Sequence, residues 1–351
     1  MRILLGADYH VRSGKLGELT TGFELLAGTL QTAIAEGCQA IFLIGDLWHE
    51  KHGVNYEVLT MLRRSLIKMA KKMPVYWIRG NHEVSVKSKA EDSLMVLYEG
   101  IHPQLYIVNS TASFQHEGVG IWMVPWYPAE EWIEVMKQVA TEAQSSRCRV
   151  KILMTHIGLA EGTVSPSNIY TINQRTKLSH LMPDVWDWAF LGDYHVTQYL
   201  RKNVLYLGAP IQHTHGDAPD QGLWVWDSLS YGTGTLTNTH LRNAEKLPYY
   251  RTYQFSDEND LKMFVESGDN YVRMKVSPDL LGPAKVLHPH ARWSVQSTGD
   301  IKEANMLGRM EGVREFQVEE ILDIWLRQRG LEGNVEYKNT ALKYLSEVPR
   351  I

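Results

Sequence analysis

Ala40-Ile41-Phe42-Leu43-Ile44-Gly45-Asp46-Leu47-Trp48-His49 is a short apolar run stopped by a glycine, with an aspartate next and a histidine three residues further on. An apolar run of this length bounded by glycine reads as a strand buried on both faces. Polar residues at its carboxyl end stand where open α/β sheets gather their ligands. The pattern recurs along the chain. A strand at 2–5 leads to Asp8-Tyr9-His10, one at 75–78 to Gly80-Asn81-His82-Glu83, one at 150–154 to Thr155-His156, and one at 188–191 to Gly192-Asp193-Tyr194-His195.

Between these strands lie helical patterns. Phe23, Leu26, Leu30 and Ile34 share one predicted face, closed by Gly37, and Asn55 is placed to cap a second helix. On that helix Arg63, Arg64, Lys68, Lys71 and Lys72 lie opposite Val58, Leu59, Leu62, Leu66 and Met69, which reads as a solvated face rather than a DNA groove. Lys87 and Lys89 form a further basic pair. Additional strands are expected at 120–124, 204–207 and 223–226, partly antiparallel, which makes the first 245 residues a layered α/β core. From 246 to 300 the pattern is a small α+β appendage: a strand, a helix over about 257–266, a strand at 271–276, and a loop with Gly and Pro at 280–289. The stretch 301–351 reads as a helical tail, with Val318, Ile321, Leu322 and Trp325 on one stripe and Ala341, Leu342, Leu345 and Val348 on another.

Composition narrows the function. With 351 residues, 44% of them hydrophobic and a formal net charge of −4, the chain can bury a large core but does not carry the excess of Lys and Arg needed to grip nucleic acid over its whole surface. Its two cysteines, Cys38 and Cys148, have no neighbours at metal or redox spacing, which argues against a disulfide framework and a zinc–thiolate site. The apolar start at 1–5 is short for a signal peptide, and no window approaches ~20 uninterrupted apolar residues. The expectation is a soluble cytoplasmic protein.

Each His or Asp cluster alone is common turn chemistry. Five of them in order, each after an apolar run and three introduced by glycine, form a site. The order Asp-x-His, Gly-Asp, Gly-Asn-His-Glu, His and Gly-x-x-His resembles the calcineurin-like metallophosphoesterase superfamily over roughly the first 230 residues. Within it, Gly45-Asp46-Leu47-Trp48-His49 and Tyr206-Leu207-Gly208-Ala209-Pro210 look like the SbcD and Mre-eleven nucleases, including the corresponding recombination subunits of tailed bacteriophages. The resemblance implies a β-sandwich flanked by helices, a capping, DNA-binding domain at 246–300, and a tail at 301–351 that binds a coiled-coil ATPase of the SbcC or Rad-fifty kind.

It also implies roles. Asp46 bridges two divalent cations, Asp8, His10 and His195 complete one site, and Asn81, His156 and Asp193 complete the other. Mixed carboxylate, imidazole and amide donors suit manganese, with magnesium or iron as alternatives. His82 is then the group that protonates the leaving oxygen or steadies the phosphate, Glu83 orients it, and His49 positions the DNA. His213 and His215 could face the cleft, but loop histidines seldom act, and they stay outside this set. One departure stands out: the family's Gly-His-x-His is here Gly192-Asp193-Tyr194-His195, a carboxylate in place of an imidazole.

The function this implies is a manganese-dependent DNA exonuclease and endonuclease acting in recombination and double-strand-break repair, in the host cytoplasm where a phage encodes it. Homodimers would form through helices between 56 and 100, two-fold pairing being the default. A phosphatase or cyclic-nucleotide phosphodiesterase on the same fold, and a non-catalytic DNA-end scaffold, are the competing readings.

Overall fold

Residues 1–13, 18–50, 55–84, 93–164, 175–218, 222–228, 232–266, 270–288 and 292–297 are described by a computed structural model. Strands β1 (Arg2–Gly6), β2 (Ala40–Ile44), β3 (Val75–Ile78) and β4 (Leu105–Val108) run parallel, with α1 (Glu18–Ala35) and α2 (Tyr56–Ala70) as the first two crossovers. β11 (Leu223–Asp227) and β12 (Thr235–Thr239) extend this sheet antiparallel beyond β1, giving six strands. A second six-stranded sheet takes the order β5 (Ala112–His116), β6 (Val119–Val124), β7 (Val150–His156), β8 (Trp188–Gly192), β10 (Val204–Tyr206) and β9 (Gln198–Arg201). Its four inner strands are parallel, and α3 (Ala129–Ser145) links β6 to β7.

The two sheets stack because their strands are apolar on both faces. Ile3, Leu5, Phe42 and Ile44 from the first sheet meet Ile152, Met154, Phe190 and Leu205 from the second in one buried layer. The alternate residues face outward: Leu4, Ile41 and Leu43 pack with Leu26, Leu30, Leu62 and Leu66 of α1 and α2, and Leu153, Ala189 and Leu191 with Trp132, Met136 and Val139 of α3. The result is a helix–sheet–sheet–helix sandwich, the layered α/β class expected. Its parallel strands in both sheets direct their carboxyl ends toward one edge.

Two local expectations change. On α1 the buried face is Gly22, Leu25, Leu26, Thr29, Leu30 and Ala33, while Phe23 and Ile34 are 42% and 52% exposed. Gly28 lies on the same face where a neighbouring segment comes close: a Cβ there would fall 1.8 Å from Asn243 Oδ1. The stretch expected as a loop at 280–289 contains α5 (Leu281–Leu287). Pro283 is tolerated there because the first turn's N–H groups have no partner within the helix. Asn55 does cap α2, accepting from the N–H groups of Glu57 and Val58.

After the sandwich comes a three-stranded sheet of β13 (Tyr250–Phe255), β14 (Tyr271–Val276) and β15 (Trp293–Ser297), all parallel. α4 (Glu258–Met263), capped by Asp257, connects the first pair of strands, and a separate small core forms from Phe255, Leu261, Val272, Met274, Val276 and Ala284. The helical stripes at 301–351, and Lys87 and Lys89, lie outside the described residues. Among those described, no helix is long and apolar enough to cross a membrane.

Candidate metal centre

The five clusters meet where the parallel strands end. Asp8 and His10 follow β1, Asp46 and His49 follow β2, Asn81 and His82 follow β3, His156 closes β7, and Asp193 and His195 follow β8. Asp46, expected at the middle, is there: its Oδ1 is 3.3 Å from His156 Nε2, and its Oδ2 is 3.7 Å from His10 Nε2. On one side His10 Nε2 and His195 Nε2 approach to 3.0 Å beside Asp8. On the other, Asp193 Oδ1 accepts from Asn81 Nδ2 at 3.1 Å and stands 3.8 Å from His156 Nε2. Asp8 joins the halves, its carboxylate accepting the Asp193 N–H at 3.0 Å.

Close approach is achieved by backbone that most side chains avoid. Asp8, His10 and Asp46 have φ of 56°, 46° and 51°, and Asp193 has φ of 103°. Left-handed conformations cost non-glycine residues about 1–3 kcal/mol each and persist where the surroundings over-determine them. Here they are held by hydrogen bonds from Asp8 N–H to Gly45 O (3.2 Å) and from His10 N–H to Asp46 O (2.9 Å). Gly45 itself sits at φ 77°, and a Cβ there would lie 2.1 Å from His156 Nδ1. That histidine is locked by donating Nδ1–H to Ile44 O at 2.9 Å, which turns Nε2 toward the carboxylates.

The donor set fits a pair of divalent cations. Two buried atoms, His156 Nε2 and Asn81 Oδ1, have no aligned hydrogen-bond partner, and they are the lone-pair atoms that a cation would take. Three carboxylates, Asp8, Asp46 and Asp193, converge on the His156 imidazole. Burial pushes the Asp8 carboxyl well above the carboxylate range, although His156 opposes it. Burial also raises Asp46, but His156, His10 and His82 outweigh it and hold that carboxyl far below its ordinary value. His10 and His195 are shifted down by burial, which keeps both imidazoles in the neutral form that ligates metals. For His156 burial is overcome by Asp46, Asp8 and Asp193, so its imidazole is raised well above the usual value. A cation at this point would replace that proton.

The remaining predicted groups divide. His82 is edge-on to His10, ring centroids 4.6 Å apart, with Nε2 3.8 Å from Asp46 Oδ2 and its backbone N–H donating to Asp46 Oδ1 at 2.9 Å. Its Nδ1 donates to the His49 carbonyl. His49 is at the rim, Nδ1 3.4 Å from His10 Nδ1. Glu83, expected to orient His82, has its carboxylate engaged by backbone N–H groups. Buried at 2% exposure, it accepts backbone N–H groups from Gly80 (2.7 Å), Asp46 (3.0 Å) and Trp48 (3.0 Å). Burial pushes its carboxyl up to about 7 despite those donors.

His213, left outside the expected set, is part of the cluster. Its ring is edge-on to His10 and His195 with centroids 5.2 Å from each, and burial pushes its imidazole down to about 3. His215 instead packs edge-on against Tyr250. A residue with no local signal is Arg79, fully buried, which bridges the sheets by donating to Asn109 Oδ1 (3.0 Å) and Trp126 O (2.7 Å) directly before Gly80. Only its neighbours in space, not in sequence, mark it out.

The calcineurin-like phosphoesterase family profile matches residues 1–293. An uncharacterized protein of Acanthamoeba polyphaga mimivirus is 20% identical over 328 residues, 90% of this chain but 22% of the viral protein. Exonuclease subunit 1 of Enterobacteria phage T4 is 19% identical over 273 residues, 76% of each chain. Among solved structures, a dimetal phosphatase from Danio rerio overlaps 64% of this chain and 91% of its own, at 11% identity and a TM-score of 0.41. That family implies two divalent metal ions, and the match over residues 1–293 takes in every cluster described above: the chain belongs to the calcineurin-like phosphoesterases.

Proposed function

We propose that this protein is a DNA nuclease, a two-cation phosphodiesterase that serves as the nuclease subunit of a DNA-end-processing assembly in recombination and repair. The observation that carries the reading is Asp46, whose two oxygens face different ligand groups, His156 on one side and His10 on the other. Asp8, His10 and His195 would hold one cation and Asn81, His156 and Asp193 the other, with Asp46 facing both groups. Manganese suits these oxygen and imidazole donors. When bound, such a pair supplies Lewis acidity to a phosphodiester and to the attacking water.

The protein's own groups do the rest. His82, with Nδ1–H engaged by the His49 carbonyl, presents Nε2 to the cleft and, as the doubly protonated imidazolium, would give the leaving oxygen its Nε2 proton. His49 stands at the rim against His10, where it orients the phosphodiester. Glu83 fixes the backbone that carries Asp46 and is a positioning residue.

A DNA substrate is supported by the phage relative, named as an exonuclease subunit, which this chain matches over 76% of its length. The basic residues of α2 are exposed, but the net charge of −4 leaves much of the DNA grip to partners. We assign those partners as a coiled-coil ATPase and a second copy of the chain. The test supplies linear double-stranded DNA, single-stranded circles and a small chromogenic phosphodiester with Mn²⁺, using Asp46→Ala as control. Cleavage of DNA that the variant lacks is expected. Hydrolysis of the small ester alone would replace the nuclease with a general phosphodiesterase.

A further inference from the structure

The loop at 211–217 after β10 is closed by its own hydrogen bonds and makes outward contacts in two directions. Asp217 Oδ2 accepts the backbone N–H groups of His213 and Thr214 at 2.8 Å each, and the Asp217 carbonyl accepts Gln212 Nε2 at 3.0 Å. This closes the loop on itself and leaves the side chains of two adjacent residues engaged with different bodies. His213 Nε2 lies 2.8 Å from the carbonyl of Asp8, and because a carbonyl only accepts, Nε2 is the donor. Gln212 Oε1 accepts the N–H of Tyr250, the first residue of β13, at 3.2 Å. His215 packs on the Tyr250 ring from the same loop, centroids 5.1 Å apart.

What His213 touches matters chemically. Asp8 is held in a left-handed conformation just beyond β1, and such backbone persists only when its surroundings over-determine it. The bond to its carbonyl is one of those determinants. The same imidazole is wedged edge-on against His10 and His195, whose Nε2 atoms face each other at 3.0 Å. One side chain therefore borders all three groups of one cation site.

We propose that the 211–217 loop ties the metal centre to the third sheet, with His213 positioning Asp8, His10 and His195 and Gln212 anchoring Tyr250. The inference rests on the two-cation reading given above. It makes the two regions reciprocal: cations that order Asp8 and the His10–His195 pair order the start of β13, and a ligand that moves the third sheet alters cation affinity equally.

Two measurements on the full chain test it. Free Mn²⁺ is titrated by electron paramagnetic resonance against wild type, His213→Leu and His213→Gln. The expected result is one site weakened roughly 10- to 100-fold in His213→Leu, the usual effect of removing a partner behind a ligand, and recovered in His213→Gln, whose amide can donate to the Asp8 carbonyl. Hydrogen exchange at the Tyr250 amide is then followed with and without Mn²⁺. Protection should rise with Mn²⁺ in wild type, rise less in Gln212→Glu, which keeps the acceptor for Tyr250 but loses the donor to the Asp217 carbonyl, and not rise in Gln212→Leu. Unchanged affinity in His213→Leu, or Tyr250 exchange indifferent to Mn²⁺, overturns the tie. Should His213→Leu fail to fold in EDTA, the Gln212 pair decides. A wild-type chain that takes up no Mn²⁺ refutes the metal centre itself, and that is seen before any variant is compared.

Discussion

Glu83 Oε2 accepts the backbone N–H of Asp46 at 3.0 Å, so one buried carboxylate holds in place the residue that carries another. The same oxygen accepts from Gly80 N–H and the other oxygen from Trp48 N–H. The β2 and β3 turns are thereby fastened together behind the ligands, although thirty-seven residues separate Asp46 from Glu83.

Replacing Glu83 by glutamine keeps the shape but not the acceptors. Whichever way the amide is turned, its NH₂ meets at least one backbone donor, and a buried unsatisfied group costs about 1–3 kcal/mol. Glu83→Gln should lower the unfolding free energy measured in urea by that amount, and with it the midpoint, and weaken Mn²⁺ binding. A midpoint equal to wild type would show that the three bonds do not hold the turns.

The crowd of carboxylates costs stability until cations arrive. Burial holds the Asp8 carboxyl high, so its ionised form is costly in the metal-free fold. Asp8→Asn keeps an oxygen for the Asp193 N–H and removes the charge. At pH 8 in EDTA, where the raised carboxyl is forced to ionise, the variant should therefore melt above wild type. With excess Mn²⁺ the order should reverse, since wild type gains binding energy that the variant lacks. A variant that melts lower in both conditions contradicts this account.

Asp193 stands where relatives of this pattern place histidine, and its Oδ1 is held by Asn81. Carboxylate favours Mn²⁺ and Mg²⁺, imidazole favours metals such as Zn²⁺. Asp193→His should lower the ratio of the rate with Mn²⁺ to that with Zn²⁺ by about tenfold, a change in preference worth about 1.4 kcal/mol. Rates measured in each metal check it. A large gain in Mn²⁺ activity would mean that the native site is weakened rather than retuned.

The two cysteines should differ in reactivity. Cys38 is 8% exposed and burial pushes its thiol up to about 11, whereas Cys148 is partly exposed. Iodoacetamide at pH 8 should modify Cys148 in the native protein and reach Cys38 only on unfolding, because the thiolate is the reactive form. Equal labelling of both in the native state, read by peptide mass, would refute this.

Strands were legible because their signal is local. Alternate residues of β2, Ile41 and Leu43 against Phe42 and Ile44, enter different cores, and that demand shows as a continuous apolar run. The face of α1 was less legible, since Phe23 and Ile34 have the right spacing but the buried face is turned toward Gly22, Leu25, Thr29 and Ala33 instead. α5 was hidden by Gly282 and Pro283, residues that read as a loop yet fit a helix's first turns.

By itself the sequence determined which chemistry is present and where along the chain it falls. Residue type and the period of apolar residues are short-range properties, so carboxylates, imidazoles and an amide after apolar runs could be read directly. Tertiary structure decided what each group faces. Glu83, expected to orient His82, braces three backbone amides, and His213 moved from a loop bystander to a neighbour of His10 and His195. The hydrogen bond from His213 to Asp8 spans 205 residues, and no local pattern encodes such a meeting. It exists only once two sheets have stacked and closed the chain upon itself.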